Sequence, residues 1–208
     1  MGGKRRDRQR PAGRRKPFKE PKPLILIVCE GEKTEPQYFD GFVKACKNPR
    51  VHIQLHDETG EPLTLVRLAR EAKAEAQRIA KREGDSFLKF DSVWCVFDVD
   101  EHPGIPEAID MATGNGIELA VSSPCFELWL ILHFRESPGG MHRHKLQNMM
   151  AEYVPHYDKQ VDYSDCASGY FKAVTRASKL AKQAKLVGDP IYNPSTGVYR
   201  LTELIRGE

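Results

Sequence analysis

The fold of this chain is decided by residues 24–31, which read Leu-Ile-Leu-Ile-Val-Cys-Glu-Gly. A continuous apolar run of this kind is typical of a strand that is buried on both faces of a parallel sheet. The run ends in an acid, Glu30, and a second apolar run at 93–97 leads into Asp98 and Asp100. Ligands of open α/β sheets bind at the carboxyl ends of the strands. If the two strands are neighbours, these three carboxylates should meet at one edge of the sheet.

Such a group of carboxylates predicts a divalent cation between them. Like charges held close together repel unless a cation or a proton separates them. Oxygen ligands suit Mg²⁺ or Mn²⁺, and a cation held this way most often serves phosphoryl chemistry. Glu127 lies in the first turn of an otherwise apolar segment, 126–134, and a buried carboxylate needs a partner. We interpret Glu127 as a metal ligand or a partner of the ligands, with a capping glutamate that complements the helix dipole as the alternative.

The alternation of apolar runs and amphipathic segments predicts an α/β fold. We expect a Rossmann-like parallel sheet of about four strands flanked by helices, followed by a helical C-terminal extension. Ser123 and Pro124 are expected at the N-cap and first position of the apolar helix. The predicted strands are 24–29, 51–56 at a sheet edge, 92–97 and 117–121, and the predicted helices are 62–82, 105–112, 126–134, about 143–153, 167–187 and 198–206, with a further helix that begins near Thr34. No strand is predicted in residues 137–208.

The charge of the chain is concentrated at its N-terminus. Residues 1–23 carry ten Lys or Arg against Asp7 and Glu20, so that 22 basic and 27 acidic residues remain for the rest of the chain, a net charge of −5 there. A segment so basic and so poor in apolar residues is expected to be disordered alone and to attract nucleic-acid phosphates. We therefore divide the chain into a basic tail (1–23), an α/β domain (24–136) and a helical extension (137–208) packed on that domain.

Several classes of protein are disfavoured by the sequence. No apolar run approaches the ~20 residues that span a membrane, and the N-terminus lacks a secretory apolar region. None of the five cysteines forms a Cys-x-x-Cys pair, which fits a reducing cytoplasm. No Walker loop or Gly-x-Gly-x-x-Gly motif is present. The basic run 142–145 is interpreted as an exposed turn instead of a metal tract.

Phosphate chemistry also requires cations and hydrogen-bond donors. Lys33 and Thr34 lie in a loop that opens a helix, where free backbone N–H groups could receive a phosphate. Farther along the chain, Lys159 is a candidate catalytic cation. The remaining candidates for phosphate binding are Arg176, Lys179, Ser195 and Thr196.

Four motifs in the chain resemble the RloB family. They are Val28–Pro36, Val96–His102, Ser123–Leu130 and Asn193–Thr196. RloB-like proteins are similar to the Toprim superfamily of primases, topoisomerases and nucleases, so the resemblance implies a Toprim-like sheet. It implies that Glu30 is the first-strand glutamate and that Asp98 and Asp100 form the later Asp-x-Asp. By the same resemblance Glu35, one residue farther on than expected, is the second glutamate of the nuclease branch, and Glu127 is its later acidic ligand.

The resemblance also implies a function. It implies a Mg²⁺- or Mn²⁺-dependent nuclease that cuts DNA or RNA, with tRNA as one candidate target. RloB-like genes accompany an AAA-type ATPase in abortive-infection phage defence, so such an ATPase is the expected partner. The alternatives are a non-catalytic module that binds nucleic acid or the ATPase and, ranked last, a nucleotidyl-transfer enzyme. The oligomeric state stays open.

Overall fold

A computed structural model of the chain describes residues 22–55, 61–99, 104–155 and 157–207. The basic tail, Asp100 and His102 therefore lie outside the described residues, apart from the last two tail residues. The strands are β1 (Ile25–Cys29), β2 (Val51–Leu55), β3 (Ser92–Asp98), β4 (Glu118–Ser123) and β5 (Ser195–Thr196). The helices are α1 (Thr34–Ala45), α2 (Pro62–Glu83), α3 (Ile105–Gly114), α4 (Glu127–Phe134), α5 (Arg143–Met150), α6 (Tyr163–Cys166), α7 (Tyr170–Val187) and α8 (Val198–Arg206), with 3₁₀ turns at Ser86–Leu88 and Ala167–Gly169.

The described strands form one mixed sheet in the order β2-β1-β3-β4-β5. The first four are parallel, and β5 pairs antiparallel with β4. Helices flank the sheet, which makes the fold Rossmannoid, as predicted. β1 and β3 are direct neighbours, with Cys29 beside Val96. The two apolar runs with acidic ends therefore lie side by side.

The sheet is buried because both of its faces carry apolar side chains. Ile25, Ile27 and Cys29 face a large core that α1, α4 and α7 share. Leu26 and Val28, which alternate with them, face a smaller core closed by α2 and α3. Each face of β1 is thus covered by helices, which explains why its sequence is continuously apolar instead of alternating.

The start and stop signals of the longest helix are confirmed. α2 has Pro62 in its first turn and ends at Gly84, which has a left-handed φ of 66°. Proline is tolerated in the first turn of a helix, because a backbone N–H there would have no acceptor within the helix. Glycine takes the left-handed conformation easily, because it has no Cβ. No helix in the described part of the chain is both long and apolar enough to cross a membrane.

Four expectations about the second half of the chain were wrong. Residues 137–208 do contain a strand, β5, which pairs Ser195 with Ser123 and Thr196 with Ser122. Ser123 is consequently the last residue of β4 and not a helix cap. The Ser123–Pro124 peptide bond is cis, and α4 begins at Glu127. The segment predicted as a helix from 167 divides into a 3₁₀ turn and α7, and the helix predicted for 143–153 ends at Met150.

Candidate active site

The acidic ends of β1 and β3 meet at the carboxyl edge of the sheet. The backbone N–H of Asp98 donates a hydrogen bond of 3.2 Å to Oε2 of Glu30. The backbone N–H of Glu30 in turn donates to the carbonyl of Val96 at 3.0 Å, which continues the β1–β3 ladder by one residue. Glu30 and Asp98 thus lie side by side at this edge, and the contact between them runs from the Glu30 carboxylate to the Asp98 backbone.

A cleft of about 410 Å³ opens at this edge. Its floor is formed by the ends of β1 and β3, and its walls come from the β1–α1 loop, from the first turns of α1, α4 and α5, and from the segment that contains Lys159. The lining residues are Glu30, Gly31, Glu32, Lys33, Thr34, Glu35, Asp98, Phe126, Glu127, Arg143, Gln147 and Lys159. The predicted residues Glu30, Lys33, Thr34, Glu35, Asp98, Glu127 and Lys159 are thus brought together in one place.

Glu35 is held against the backbone of the β1–α1 loop. It lies in the first turn of α1 and is only 7% exposed. A Cβ on Gly31 would lie 2.6 Å from Cδ of Glu35, closer than a side chain can approach without a shift. The Glu35 carboxylate therefore packs directly on the glycine after Glu30, and a larger residue at position 31 would displace it.

Glu127 has a hydrogen-bond partner that the sequence did not reveal. Its carboxylate is 4% exposed at the start of α4 and accepts a bond of 3.0 Å from the Tyr157 hydroxyl. Burial, followed by the negative charge of Glu127, raises the pKa of Tyr157, so that the phenol keeps its proton and acts as a donor. The expectation that a buried Glu127 needs a partner is confirmed, and Glu127 also lines the cleft.

The cleft carboxylates act on one another electrostatically. Burial is the main cause that raises the pKa of Glu35 to about 7, and the charges of Glu127 and Glu30 raise it further, while its backbone hydrogen bond and Lys159 lower it. The pKa of Asp98 is raised well above its usual value, first by burial and then by the same three glutamates, with Arg143 acting in the opposite direction. Four carboxylates therefore share one poorly solvated site that favours a bound proton or a bound cation.

Two basic residues border the carboxylates. Lys159 has a left-handed backbone, with φ of 53°, and its carbonyl accepts a hydrogen bond of 2.8 Å from Oγ1 of Thr34. A lysine in this region of φ is strained, and such strain is common at functional sites. Arg143 begins α5 and also lines the cleft. The site is thus acidic at its floor and basic at its rim.

The donor set suits a hard cation, but it is not a closed metal cage. All four carboxylates supply oxygen, the ligand type of Mg²⁺ and Mn²⁺. Within residues 22–55, 61–99, 104–155 and 157–207, no three acidic, histidine or cysteine side chains are arranged closely enough to hold a metal ion. Asp100, the remaining predicted ligand, lies outside the described residues. The chemistry of the donors fits a divalent cation, which would have to draw the described carboxylates closer together.

Comparison with known proteins places the chain in a family. A family model described as RloB-like protein matches residues 25–205. The chain belongs to this family. No curated protein and no solved structure matches it. In this RloB-like chain, every residue that lines the acidic cleft falls within the matched region.

The structure does not bring four of the predicted phosphate-binding residues into the cleft. Arg176 pairs with Glu136 at 2.9 Å and donates to the Leu132 carbonyl at 2.7 Å, at the far end of α4 from Glu127. Lys179 lies beside it, lining the same separate surface pocket. Ser195 and Thr196 form β5, where Thr196 shares a hydrogen bond of 3.0 Å with the Ser122 hydroxyl. These hydroxyls hold the sheet edge together instead of facing the cleft.

Arg143 and Gln147, which line the cleft of this RloB-like chain, and Tyr157, which donates a hydrogen bond to Glu127, were missed in the sequence. Arg143 belongs to the run 142–145, which we interpreted as an exposed basic turn. His142 and Lys145 are indeed exposed, but Arg143 is half-buried against the cleft. Helical spacing places Gln147 one turn after Arg143, which is a signal that only becomes useful once the direction of α5 is known. Tyr157 carried no recognisable signal.

Proposed function

We propose that the cleft is the active site of a Mg²⁺- or Mn²⁺-dependent nuclease that hydrolyses phosphodiester bonds of DNA or RNA. The observation that carries the proposal is the apposition of Glu30 and Asp98 at the carboxyl edge of adjacent parallel strands. This position is where open α/β sheets bind their ligands. The raised pKa values of Asp98 and Glu35 support it, because they indicate that the cleft tolerates its negative charge poorly without a cation.

Glu30 and Asp98 would hold the cation, together with Asp100 and with Glu127 or Glu35 as further oxygen donors. A divalent cation in such a site polarises the scissile phosphate and lowers the pKa of bound water. The described carboxylates would have to approach one another when the cation binds. Tyr157 keeps the Glu127 carboxylate oriented through its hydrogen bond.

The basic rim provides for the negative charge of the substrate. Lys159 and Arg143 face the carboxylates from the rim, where each can bind a phosphate oxygen and stabilise charge that builds up during cleavage. Lys33 is exposed at the same cleft and adds a third cation. Mixed charge of this kind suits a site that must accept a metal ion and a polyanion at the same time.

We extend the proposal to phage defence, with an AAA-type ATPase as the regulating partner and this chain as the effector. This part rests on the resemblance to the family alone. A direct test is whether co-expression with the ATPase suppresses or triggers toxicity, and whether Asp98→Asn removes the toxicity.

The nuclease proposal is tested with the purified full chain, plasmid DNA and tRNA, in the presence of Mg²⁺, Mn²⁺ or a chelator. Cleavage should require the cation and should be lost in Asp98→Asn and in Glu30→Gln. Asp110→Asn, an exposed position on α3, is the matched control and should cut like the wild type. Full activity of Asp98→Asn or Glu30→Gln would remove the proposal.

A second candidate is a non-catalytic module that binds nucleic acid or the ATPase. It is favoured by the lack of a ready metal cage among the described side chains. Titration calorimetry separates the two candidates, since an enzyme of the proposed kind must bind Mn²⁺ and a binding module need not. Heat of Mn²⁺ binding that disappears in Asp98→Asn supports the enzyme, and no heat in the wild type supports the module.

A further inference from the structure

Helix α7 carries an unusual distribution of charge. Its 18 residues, Tyr170–Val187, include five lysines or arginines and no acidic residue. Its small and apolar face, which includes Ala173, Ala177 and Leu180, is buried in the large core. The four lysines are therefore exposed, whereas Arg176 is largely buried.

Three of these cations form a stripe along the exposed side of the helix. Lys172, Lys179 and Lys182 follow one another at spacings of seven and three residues, which places them on one side of a helix. At a rise of 1.5 Å per residue the stripe is about 15 Å long. Phosphates of one strand of a duplex are about 3.4 Å apart along its axis, so the stripe runs alongside about four of them. Arg176 is excluded, since Glu136 and the Leu132 carbonyl already bind it.

The other long helix shows that this distribution is not simply that of a solvated surface. α2 mixes both signs of charge, and its ion pairs include Arg78 with Glu75 at 2.6 Å and Arg82 with Glu83 at 2.9 Å. In the part of the chain that the structure describes, no ion pair joins the three stripe lysines to a carboxylate. The charge of the stripe is thus left for a partner.

The stripe also leads towards the acidic cleft. The start of α7 adjoins the end of α4, where a Cβ on Gly169 would overlap the backbone of His133. Beyond its other end, the Ile191 carbonyl accepts a hydrogen bond of 2.9 Å from Ser123, the last residue of β4. The chain that follows α7 therefore reaches the end of β4 at the carboxyl edge of the sheet, while the stripe lysines themselves lie outside the cleft.

We propose that the lysine stripe of α7 binds the sugar-phosphate backbone of a nucleic acid and guides it to the cleft. The inference rests on the proposed function for its substrate class, and it adds a binding surface that the cleft itself does not contain. An anionic lipid surface is the competing partner, because Phe171, Leu186 and Val187 are exposed at the two ends of α7. Between Lys172 and Lys182 the exposed side chains are lysines and Thr175, which favours a phosphate backbone along the stripe itself.

The test measures binding of the full chain to fluorescently labelled duplex and single-stranded oligonucleotides, of both DNA and RNA, by anisotropy. A chelator is present so that no substrate is cut, and salt is varied between about 50 and 200 mM. The stripe variant combines Lys172→Gln, Lys179→Gln and Lys182→Gln. The matched control removes the same charge from α2 and combines Arg67→Gln, Arg70→Gln and Lys81→Gln.

The stripe variant should bind at least about tenfold more weakly, and its slope of log affinity against log salt should be shallower by about 2 to 3. The α2 control should lose much less affinity for the oligonucleotides. A variant with arginine in place of Lys172, Lys179 and Lys182 should bind as the wild type does. Unchanged slope and affinity in the stripe variant would overturn the inference, as would equal losses in both glutamine variants. Binding to phosphatidylserine vesicles without binding to any oligonucleotide would also overturn it.

The two proposals fail in different ways. Asp98→Asn should keep the wild-type salt slope while losing cleavage, because the stripe lies outside the cleft. A wild type that binds through the stripe but cuts neither DNA nor RNA removes the nuclease proposal and leaves the stripe in place. If the wild type cuts nucleic acid and the stripe variant binds it as well as the wild type does, only the proposal for the stripe is wrong.

Discussion

Replacing Glu35 by glutamine should stabilise the metal-free protein at alkaline pH. The folded-state pKa of Glu35 is about 7, against an ordinary value of 4.5. Between these values the folded protein holds a proton that the unfolded chain has released, so stability contributed by this group falls as the pH rises through that window. The difference between the two pKa values corresponds to about 3 kcal/mol in the free energy of unfolding, and this stability is fully lost above about pH 8. Glutamine cannot ionise and therefore avoids this loss.

The assay is urea unfolding of wild type and Glu35→Gln in chelator, at several values from about pH 4.5 to pH 8. The free energy of unfolding of the variant relative to wild type should rise by about 3 kcal/mol across this range. The comparison must be made between the two proteins, because His133 has its pKa lowered by burial to about 4 and changes stability in the opposite direction at acidic pH. That contribution is the same in both proteins and cancels in the difference.

A matched control is Glu71→Gln, an exposed glutamate on α2, which should show no such dependence on pH. Mn²⁺ added at about pH 8 should stabilise the wild type, because a cation relieves the same repulsion that the substitution removes. If the advantage of Glu35→Gln does not grow with pH, Glu35 is not a buried carboxylate in an acidic cleft and the electrostatic reasoning for the site is wrong.

Two further substitutions test how the cleft is held. Gly31→Ala should weaken Mn²⁺ binding, because the new Cβ displaces the Glu35 carboxylate. Titration calorimetry that matches the wild type would show that Glu35 is not displaced or does not hold the cation. Tyr157→Phe should lower the free energy of unfolding by about 1–3 kcal/mol at neutral pH, because the buried Glu127 loses its hydroxyl donor. Urea unfolding that matches the wild type would mean that another group or water replaces the phenol.

Much of the fold could be predicted because its signals are local. The apolar runs of β1 and β3 are buried on both faces, so their composition alone indicated interior strands, whereas their pairing as neighbours is seen only in the structure. α2 was bounded by Pro62 and Gly84, whose backbone preferences act at single positions. β5 could not be predicted in this way, since a strand of two residues has no periodicity and is defined only by its pairing with β4.

The residues of the candidate site also divide into those that a local sequence signal predicted and those that depend on tertiary packing. Glu30, Asp98 and Glu127 could be predicted, because each acid follows or begins an apolar element and its position along the chain fixes the edge of the sheet where it lies. Arg143 could not, because a basic residue in a basic run is exposed or directed inward according to how its helix packs. The same holds for Arg176, which pairs with Glu136 at the end of α4 instead of facing the acids.

The sequence by itself therefore determined the parallel sheet and the acids at its edge, through the burial of apolar runs and the fixed direction of parallel strands. Lys33, Thr34 and Lys159 were also expected near those acids, but tertiary structure alone decided that Arg143 and the Tyr157 hydroxyl join them. Side chains that lie far apart in the chain, such as Thr34 and the Lys159 backbone or Glu127 and Tyr157, meet only when helices pack, and no local pattern encodes that contact.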